Sequence, residues 1–124
     1  MIGLEKARAL KEAGLVWEPK KHDLSTLLDA PWLDGPVSLR SVTAESAKEW
    51  ANDERIVFMP RLGQLLAGFK ARGCGYSLDY VPGKGERISI WQDEDCEDVK
   101  HFAADTPEDA AADALLYLLG QEAG

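Results

Sequence analysis

Cysteine and histidine are scarce in this sequence of 124 residues, which contains two of each. The four side chains are Cys74, Cys96, His22 and His101. Two cysteines are too few for a disulfide framework. A structural zinc site needs four ligands, usually with closely spaced pairs such as Cys-x2-Cys, and the sequence has no such pair. We therefore expect neither a bound metal nor a cofactor.

Long apolar runs are absent as well. No stretch approaches the roughly 20 apolar residues of a membrane helix. The N-terminal sequence MIGLEKARALKEAG lacks the apolar core of a signal peptide. The composition, 45% hydrophobic and 29% charged, is typical of a globular protein. We expect one cytoplasmic domain over residues 1–124 without membrane contact, less regular over 1–53 and with its core over 54–120.

Basic residues are nearly absent from the last quarter of the chain. Residues 93–124 contain Lys100 against ten acidic residues, a balance of −9, and the whole chain has a net charge of −8. A nucleic-acid-binding surface needs basic side chains to neutralise phosphates, so direct binding of DNA or RNA is not expected. Surface acid usually serves solubility, and a cationic partner is the alternative interpretation.

The densest acidic run extends from residue 93 to residue 98. It has the oxygen atoms that Ca²⁺ prefers, but neither the glycine nor the spacing of an EF-hand loop. We predict a solvated loop between two strands, whose acids are candidate interaction residues. They are Asp93, Glu94, Asp95, Glu97 and Asp98.

Signatures of catalysis are also missing. No nucleophile elbow or related motif surrounds any serine, cysteine or histidine. The segment Gly83-Lys84-Gly85 lacks the spacing of a phosphate-binding loop, and together with Pro82 it is typical of a hairpin turn. The sequence therefore identifies no catalytic residue.

The second half of the chain carries the clearest structural patterns. Leucines at helical spacing after Pro60 predict a helix that ends at Gly73. Alternating residues around Leu78 predict a half-buried strand, followed by a return strand with Ile88 and Ile90 inward and a third strand over 99–103. Thr106-Pro107-Glu108-Asp109 starts a final helix. The predicted fold class is α+β, an antiparallel three-stranded meander flanked by two helices.

The N-terminal third is predicted to be an irregular α/β region. Its expected elements are a helix over 4–13 ended by Gly14, a strand-like run over 15–17, a short helix capped by Asp23, a loop over 29–36, a strand over 37–42, a helix from Thr43 to Trp50, and a strand over 56–58.

Two further places are candidates for contact with a partner. Trp32 lies in the turn-rich segment DAPWLDGP, whereas the other tryptophans occupy positions typical of a core. The final helix is apolar nearly all round after Asp113, which indicates deep burial or a subunit contact. Leu116 and Tyr117 are the candidate contact residues of that helix.

Four segments resemble small uncharacterised proteins encoded by phages and prophages of Gram-positive bacteria. They are KEAGLVWEP (11–19), IVFMPRLGQLL (56–66), the glycine before Tyr76-Ser77-Leu78, and FAADTPEDAAADALLYLL (102–119). The helix–meander–helix order is similar to the phage α/β-sandwich domains. The resemblance implies an origin and a fold, and it implies no reaction and no site residue.

These observations favour a non-enzymatic accessory protein of phage or prophage type that acts by protein–protein contact and self-associates through its final helix. One alternative is an acidic mimic of nucleic acid that inhibits a host nucleic-acid enzyme through the region 93–124. A second alternative is a small hydrolase without a recognisable motif, which requires a concave pocket with convergent polar groups.

Overall fold

The computed structural model describes residues 1–27, 37–39, 42–92 and 95–123. The helices are α1 (Leu4–Glu12), α2 (Ala44–Asn52), α3 (Leu62–Ala71) and α4 (Pro107–Ala123). The strands are β1 (Leu24–Leu27), β2 (Val37–Ser38), β3 (Ile56–Phe58), β4 (Cys74–Val81), β5 (Gly85–Gln92) and β6 (Asp95–Ala104). Over these residues the fold is α+β with two antiparallel sheets, ordered β2-β1-β3 and β4-β5-β6.

The predicted meander with its two flanking helices is confirmed as α3-β4-β5-β6-α4. Strands β4 and β5 pair without interruption from Cys74 opposite Gln92 to Val81 opposite Gly85. The turn between them contains Gly83 at φ +82, a conformation that glycine adopts without steric cost. The β5–β6 pairing has a register shift between Ile90 and Gln92, so the third strand is irregular where it begins.

Helix α4 lies at the centre of the molecule. It packs against α1, α3, β5 and β6. Its buried residues are Ala110, Ala111, Ala112, Ala114, Leu115, Leu118 and Leu119. The core faces them with Leu10 of α1, Phe69 of α3 and Ile88 of β5, all fully buried. The four alanines allow close approach because their side chains are small. The core extends to Val57 and Met59, so it includes residues next to both sheets.

Helix α3 begins two residues later than a helix with Pro60 at its first position would. Arg61 is the N-cap residue and Gln64 accepts from its backbone N–H, so Pro60 precedes the helix instead of opening it. The helix ends before Gly73, as expected, and Gly73 has a φ of +70, a conformation that favours glycine. Gly68 faces α4, where an added Cβ would lie 3.4 Å from the Leu115 side chain. The missing side chain therefore lets α3 and α4 pack closely.

Several predictions for the N-terminal third are confirmed. Helix α1 ends before Gly14 at φ +96, and Thr43 caps α2 through a reciprocal bond with Ser46. Strand β3 lies where the apolar run predicted it. Helix α1 is tied to α4, because Lys6 pairs with Asp113 at 2.6 Å and the Gly3 N–H donates to Asp109.

Two predictions for this region are wrong. Residues 24–27 form β1 instead of a helix capped by Asp23, and they pair with both β2 and β3. Residues 15–17 form neither strand nor helix. A helix-capping Asp23 would accept hydrogen bonds from backbone N–H groups that follow it. Its carboxylate instead accepts from the Trp17 side chain, which precedes it in sequence, and from the Gln64 side chain, which is remote in sequence.

The remaining N-terminal predictions are tested only in part. The loop predicted over 29–36 lies outside the described residues. Of the strand predicted over 37–42, Val37 and Ser38 form β2, Leu39 lies beyond it, and Arg40 and Ser41 are outside the described residues.

Candidate functional site

The acidic candidates fall at the start of β6. Asp93 and Glu94 lie outside the described residues, as does Trp32. The backbone of Asp95, Glu97 and Asp98 belongs to β6, so the loop predicted over 93–98 is shorter than expected. A strand forms there because the β5–β6 pairing resumes at Gln92 opposite Asp95, after the register shift. The role of these acids in an interaction stays a prediction.

The candidates on α4 lie at the margin of the core. Leu116 and Tyr117 are half-buried and pack against the central cluster. The Tyr117 ring lies 5.7 Å from the ring of Phe102 on β6, in a tilted arrangement. The apolar character of α4 is thus accounted for by burial within the same chain, which is the first of the two interpretations of its sequence. Self-association through α4 has no support from its exposure.

A groove of about 540 Å³ lies between residues 15–20 and α3. Its wall includes Trp17, whose ring stacks on Phe58 at 5.0 Å, and its floor includes Leu65 and Leu115. A groove of this size could enclose a small molecule. Specific binding would also require polar atoms that point into the groove without partners of their own.

The buried polar group in this groove already has its partners. Asp23 is 6% exposed, and its carboxylate accepts from the Trp17 indole at 3.0 Å, the Lys20 backbone N–H at 3.0 Å and the Gln64 amide at 2.8 Å. No buried side-chain nitrogen or oxygen in the described part of the chain lacks a hydrogen-bond partner. Asp23 therefore joins the segment 17–23 to α3, and its carboxylate is engaged within the chain instead of pointing free into the groove.

The solvent-facing side of the β4-β5-β6 sheet carries a serine–histidine pair. Ser89 Oγ lies 2.7 Å from His101 Nδ1 across the β5–β6 ladder. Such a pair resembles a nucleophile and its base. Ser89 is only 5% exposed, however, and neither residue lines a cavity among those described. A nucleophile needs access to substrate, so this geometry favours a structural cross-strand contact.

Strand β4 departs most clearly from its predicted environment. The alternating pattern predicts a half-buried strand, yet Tyr76 is 40%, Leu78 38% and Tyr80 66% exposed. These three side chains share a sheet face with Ile88 and Ile90, which are buried. We call them the β4 rim. Helices α3 and α4 cover the centre of this face. Their cover over the rim is only partial: the Tyr76 ring lies 6.1 Å from the ring of Phe69 on α3, and Tyr80 is the most exposed of the three.

Strand β4 is also an edge strand in the described part of the chain, with β5 as its single neighbour. Natural edge strands are usually protected by a bulge, a proline, an inward-pointing charge or a short length. Strand β4 has eight residues, an uninterrupted register with β5 and no proline. The opposite edge, β6, has a register shift and an acidic beginning. The apolar edge is therefore the unprotected one.

The single charge on β4 is neutralised within the sheet. Asp79 lies opposite Arg87 of β5, whose guanidinium donates two parallel hydrogen bonds to its carboxylate. The hydrogen bond from Arg87 holds the pKa of Asp79 below its ordinary value, and the attraction of the same cation adds to the effect. At neutral pH this edge therefore carries no uncompensated charge of its own.

Sequence reasoning missed the β4 rim for a definable reason. The alternation of Tyr76, Leu78 and Tyr80 correctly predicts that they share one face of a strand. It does not indicate whether that strand is central or at an edge, or how far the helices extend over it. The hairpin signal places β5 beside β4, but no signal in the sequence determines the occupant of the other side.

The chain matches no protein-family model, and no curated protein or solved structure matches it either. The resemblance to phage-encoded proteins therefore stays a prediction from the segments that carry it. Among the helices described, none is long and apolar enough to cross a bilayer.

Proposed function

We propose that this chain is a non-enzymatic binding protein of phage or prophage type that acts by adding an extended polypeptide segment to the edge of β4. The observation that carries this proposal is the β4 rim, an exposed row of two tyrosines and a leucine on an unprotected edge strand of eight residues. Its phage origin rests on the sequence resemblance alone.

Strand addition uses two features that β4 offers together. The outer edge supplies backbone N–H and C=O groups that can continue the sheet, which gives affinity with little regard to sequence. The rim supplies apolar contacts at every second position, which selects partners whose own side chains alternate. Tyrosine suits such a surface because it combines apolar area with a hydroxyl that tolerates water.

The two alternatives gain no comparable support. A nucleic-acid mimic depends on how the carboxylates between 93 and 98 are arranged, and those side chains lie outside the described residues. A hydrolase requires an accessible nucleophile in a cleft, whereas Ser89 is buried beneath an open sheet face. No group of three or more potential metal ligands occurs among the described residues.

Selection from a library of random eight-residue peptides tests the proposal. The wild-type chain is the target, and a Leu78→Lys variant is used to remove peptides that do not depend on β4. We expect the recovered peptides to alternate apolar and polar residues. In amide NMR spectra they should shift the signals of Tyr76, Leu78 and Tyr80 more than those of the groove beside α3.

A proline at the centre of a recovered peptide provides the matched control. Proline cannot donate to a sheet ladder, so binding should be lost while composition is nearly unchanged. Recovery of no peptide that requires Leu78, or binding that survives the proline, would refute strand addition at β4. Peptides that shift the groove residues instead would relocate the binding site.

A further inference from the structure

The backbone groups on the outer edge of β4 can be assigned to particular residues. In an antiparallel ladder, alternate residues direct both their N–H and C=O groups to the same neighbour. The ladder with β5 ends at Val81 opposite Gly85, and the following Pro82 has no N–H with which to form the alternative bonding pattern. The odd-numbered residues of β4 therefore bond to β5. Tyr76, Leu78 and Tyr80 direct their backbone groups outward.

We propose that the partner of β4 is β4 of a second copy of this chain, in antiparallel pairing with Leu78 at the two-fold axis. This inference rests on the proposed function, because it names the segment that occupies the edge. Tyr76 then lies opposite Tyr80 of the second copy and Leu78 opposite its own counterpart. The two sheets become one six-stranded sheet, in a symmetric interface built from the same surface on both copies.

The rim is self-complementary in this register and in no neighbouring one. With Leu78 at the axis, each of the three exposed apolar side chains meets another exposed apolar side chain. A shift of the axis to residue 77 places Tyr80 opposite Cys74, which is buried and offers no exposed surface. A shift to residue 79 places Asp79 opposite its own copy, and like charges directly opposed destabilise a ladder.

Charge at the contact also permits self-pairing. With Leu78 at the axis, Asp79 lies opposite Ser77 of the second copy and diagonal to its own counterpart. Each Asp79 is already engaged by Arg87 of its own chain. The local surface is therefore neutral, although each chain has a net charge of −8 and the copies repel at longer range. Since salt screens that repulsion, association should become stronger as ionic strength rises.

Sedimentation equilibrium over a range of protein concentrations and at two salt concentrations tests this inference. We expect the mass to rise from 13.6 kDa toward twice that value with concentration, and to rise further at high salt. Leu78→Lys places a charge at the axis and should weaken association by about tenfold or more, as lysine does at protected natural edges. Tyr80→Lys, at a more exposed position, provides a second variant with even less risk to folding.

Val16→Lys is the matched control. Val16 is the most exposed large apolar residue described, at 81%, and lies outside β4. The change removes exposed apolar surface and adds the same charge, so the control should associate as the wild type does. Circular dichroism melting of all variants establishes that each is folded.

Oxidative cross-linking tests the register. Paired residues that exchange backbone bonds lie about 5.5 Å apart between Cα atoms, within the range of a disulfide. Leu78→Cys should therefore cross-link with itself, whereas Tyr80→Cys should cross-link only when mixed with Tyr76→Cys. The wild type measures the background from its two native cysteines.

The outcomes separate this inference from the proposed function. A chain that stays monomeric at every concentration and salt, while selected peptides still bind β4, would overturn self-pairing alone. A dimer that Leu78→Lys leaves intact would overturn it as well, by placing the contact elsewhere. If the chain stays monomeric and the selection recovers no peptide that depends on β4, both self-pairing and strand addition at β4 would be overturned.

Discussion

Helix α4 and strand β4 both carry apolar side chains next to the same sheet, and they differ in what covers those side chains. The alanines and leucines of α4 lie under α1, α3 and the β4-β5-β6 sheet. The tyrosines and leucine of β4 lie on the same face of that sheet but beyond the helices. The same apolar chemistry thus stabilises the fold in α4 and leaves exposed apolar side chains on β4.

The difference follows from position in the layers. A helix that packs on the middle of a three-stranded sheet covers about 10 Å of width, which is about two strands at 4.7–4.9 Å spacing. Helix α4 contacts β5 and β6, and α3 contacts β4, where the Phe69 ring lies 6.1 Å from the Tyr76 ring. Tyr80, near the far end of β4, is accordingly the most exposed of the three side chains, at 66%.

The largest effect should come from charge placed in α4. Ala114→Glu introduces a carboxylate at a site with no exposed surface, where neither water nor a cation can solvate it. We expect a loss of more than about 4 kcal/mol in the free energy of unfolding, enough to unfold a marginal domain. Chemical denaturation followed by circular dichroism measures it.

Gln121→Glu adds the same charge at an exposed position of the same helix. It should change the free energy of unfolding by no more than about 0.5 kcal/mol. If Ala114→Glu were as stable as this control, the central position of α4 in the core would be wrong.

A matched pair of leucines compares the two surfaces directly. Leu115 of α4 is 1% exposed and Leu78 of β4 is 38% exposed. Leu115→Ala should cost about 2–5 kcal/mol because it leaves a cavity among packed side chains. Leu78→Ala should cost below about 1 kcal/mol in a monomer. Urea denaturation at low protein concentration measures both, and equal losses would contradict the difference in cover.

The sequence predicts these two surfaces to different extents. Apolar residues all round α4 indicate a buried helix because no face is left for water. Alternation in β4 indicates one apolar face, but cover over that face depends on where α3 and α4 pack, and α4 begins more than 25 residues further along the chain. Asp23 shows the same limit, since the Gln64 amide that holds it lies 41 residues away. Local patterns therefore predicted the elements of the second half of the chain, and contacts remote in sequence decided their surroundings.

The hairpin that presents β4 should lose more stability on substitution of Gly85 than of Gly83. An added Cβ at Gly85 would lie 2.6 Å from the Ala104 carbonyl oxygen of β6, and its φ is +91. Gly85→Ala should therefore cost about 2 kcal/mol or more through strain and a backbone clash. Gly83 has a similar φ of +82 but open space around it, so Gly83→Ala should cost about 1 kcal/mol.

Thermal melting followed by circular dichroism distinguishes the two variants. Amide hydrogen exchange shows where the loss falls, and in Gly85→Ala we expect faster exchange in β4 and β5 than in α4. Equal melting temperatures for the two variants would show that β6 does not restrict the hairpin at Gly85.

The smallest expected effect concerns the charge on β4. Arg87 holds the pKa of Asp79 below the ordinary value of about 3.9. A lowered pKa in the folded state means that the contribution to stability is present above the unfolded pKa and is lost as pH falls through the folded one. Because both side chains are exposed, the loss of stability in this acid range should be slight. Arg87→Gln should return the pKa of Asp79 toward its ordinary value, as carboxyl NMR titration would measure.

Arg55→Gln is the control, because Arg55 lowers the pKa of Asp53 to about 2 by the same kind of bond at a site remote from β4. Arg55→Gln should raise the pKa of Asp53 toward its ordinary value and leave the pKa of Asp79 unchanged. In Arg87→Gln the carboxylate of Asp79 is uncompensated, so strand pairing at β4 should weaken at neutral pH and recover as Asp79 becomes protonated. If Arg87→Gln left strand pairing at neutral pH unchanged, the charge of Asp79 would have no effect on pairing at the edge of β4. The difference between β4 and α4 would then depend only on how much of their apolar surface is covered.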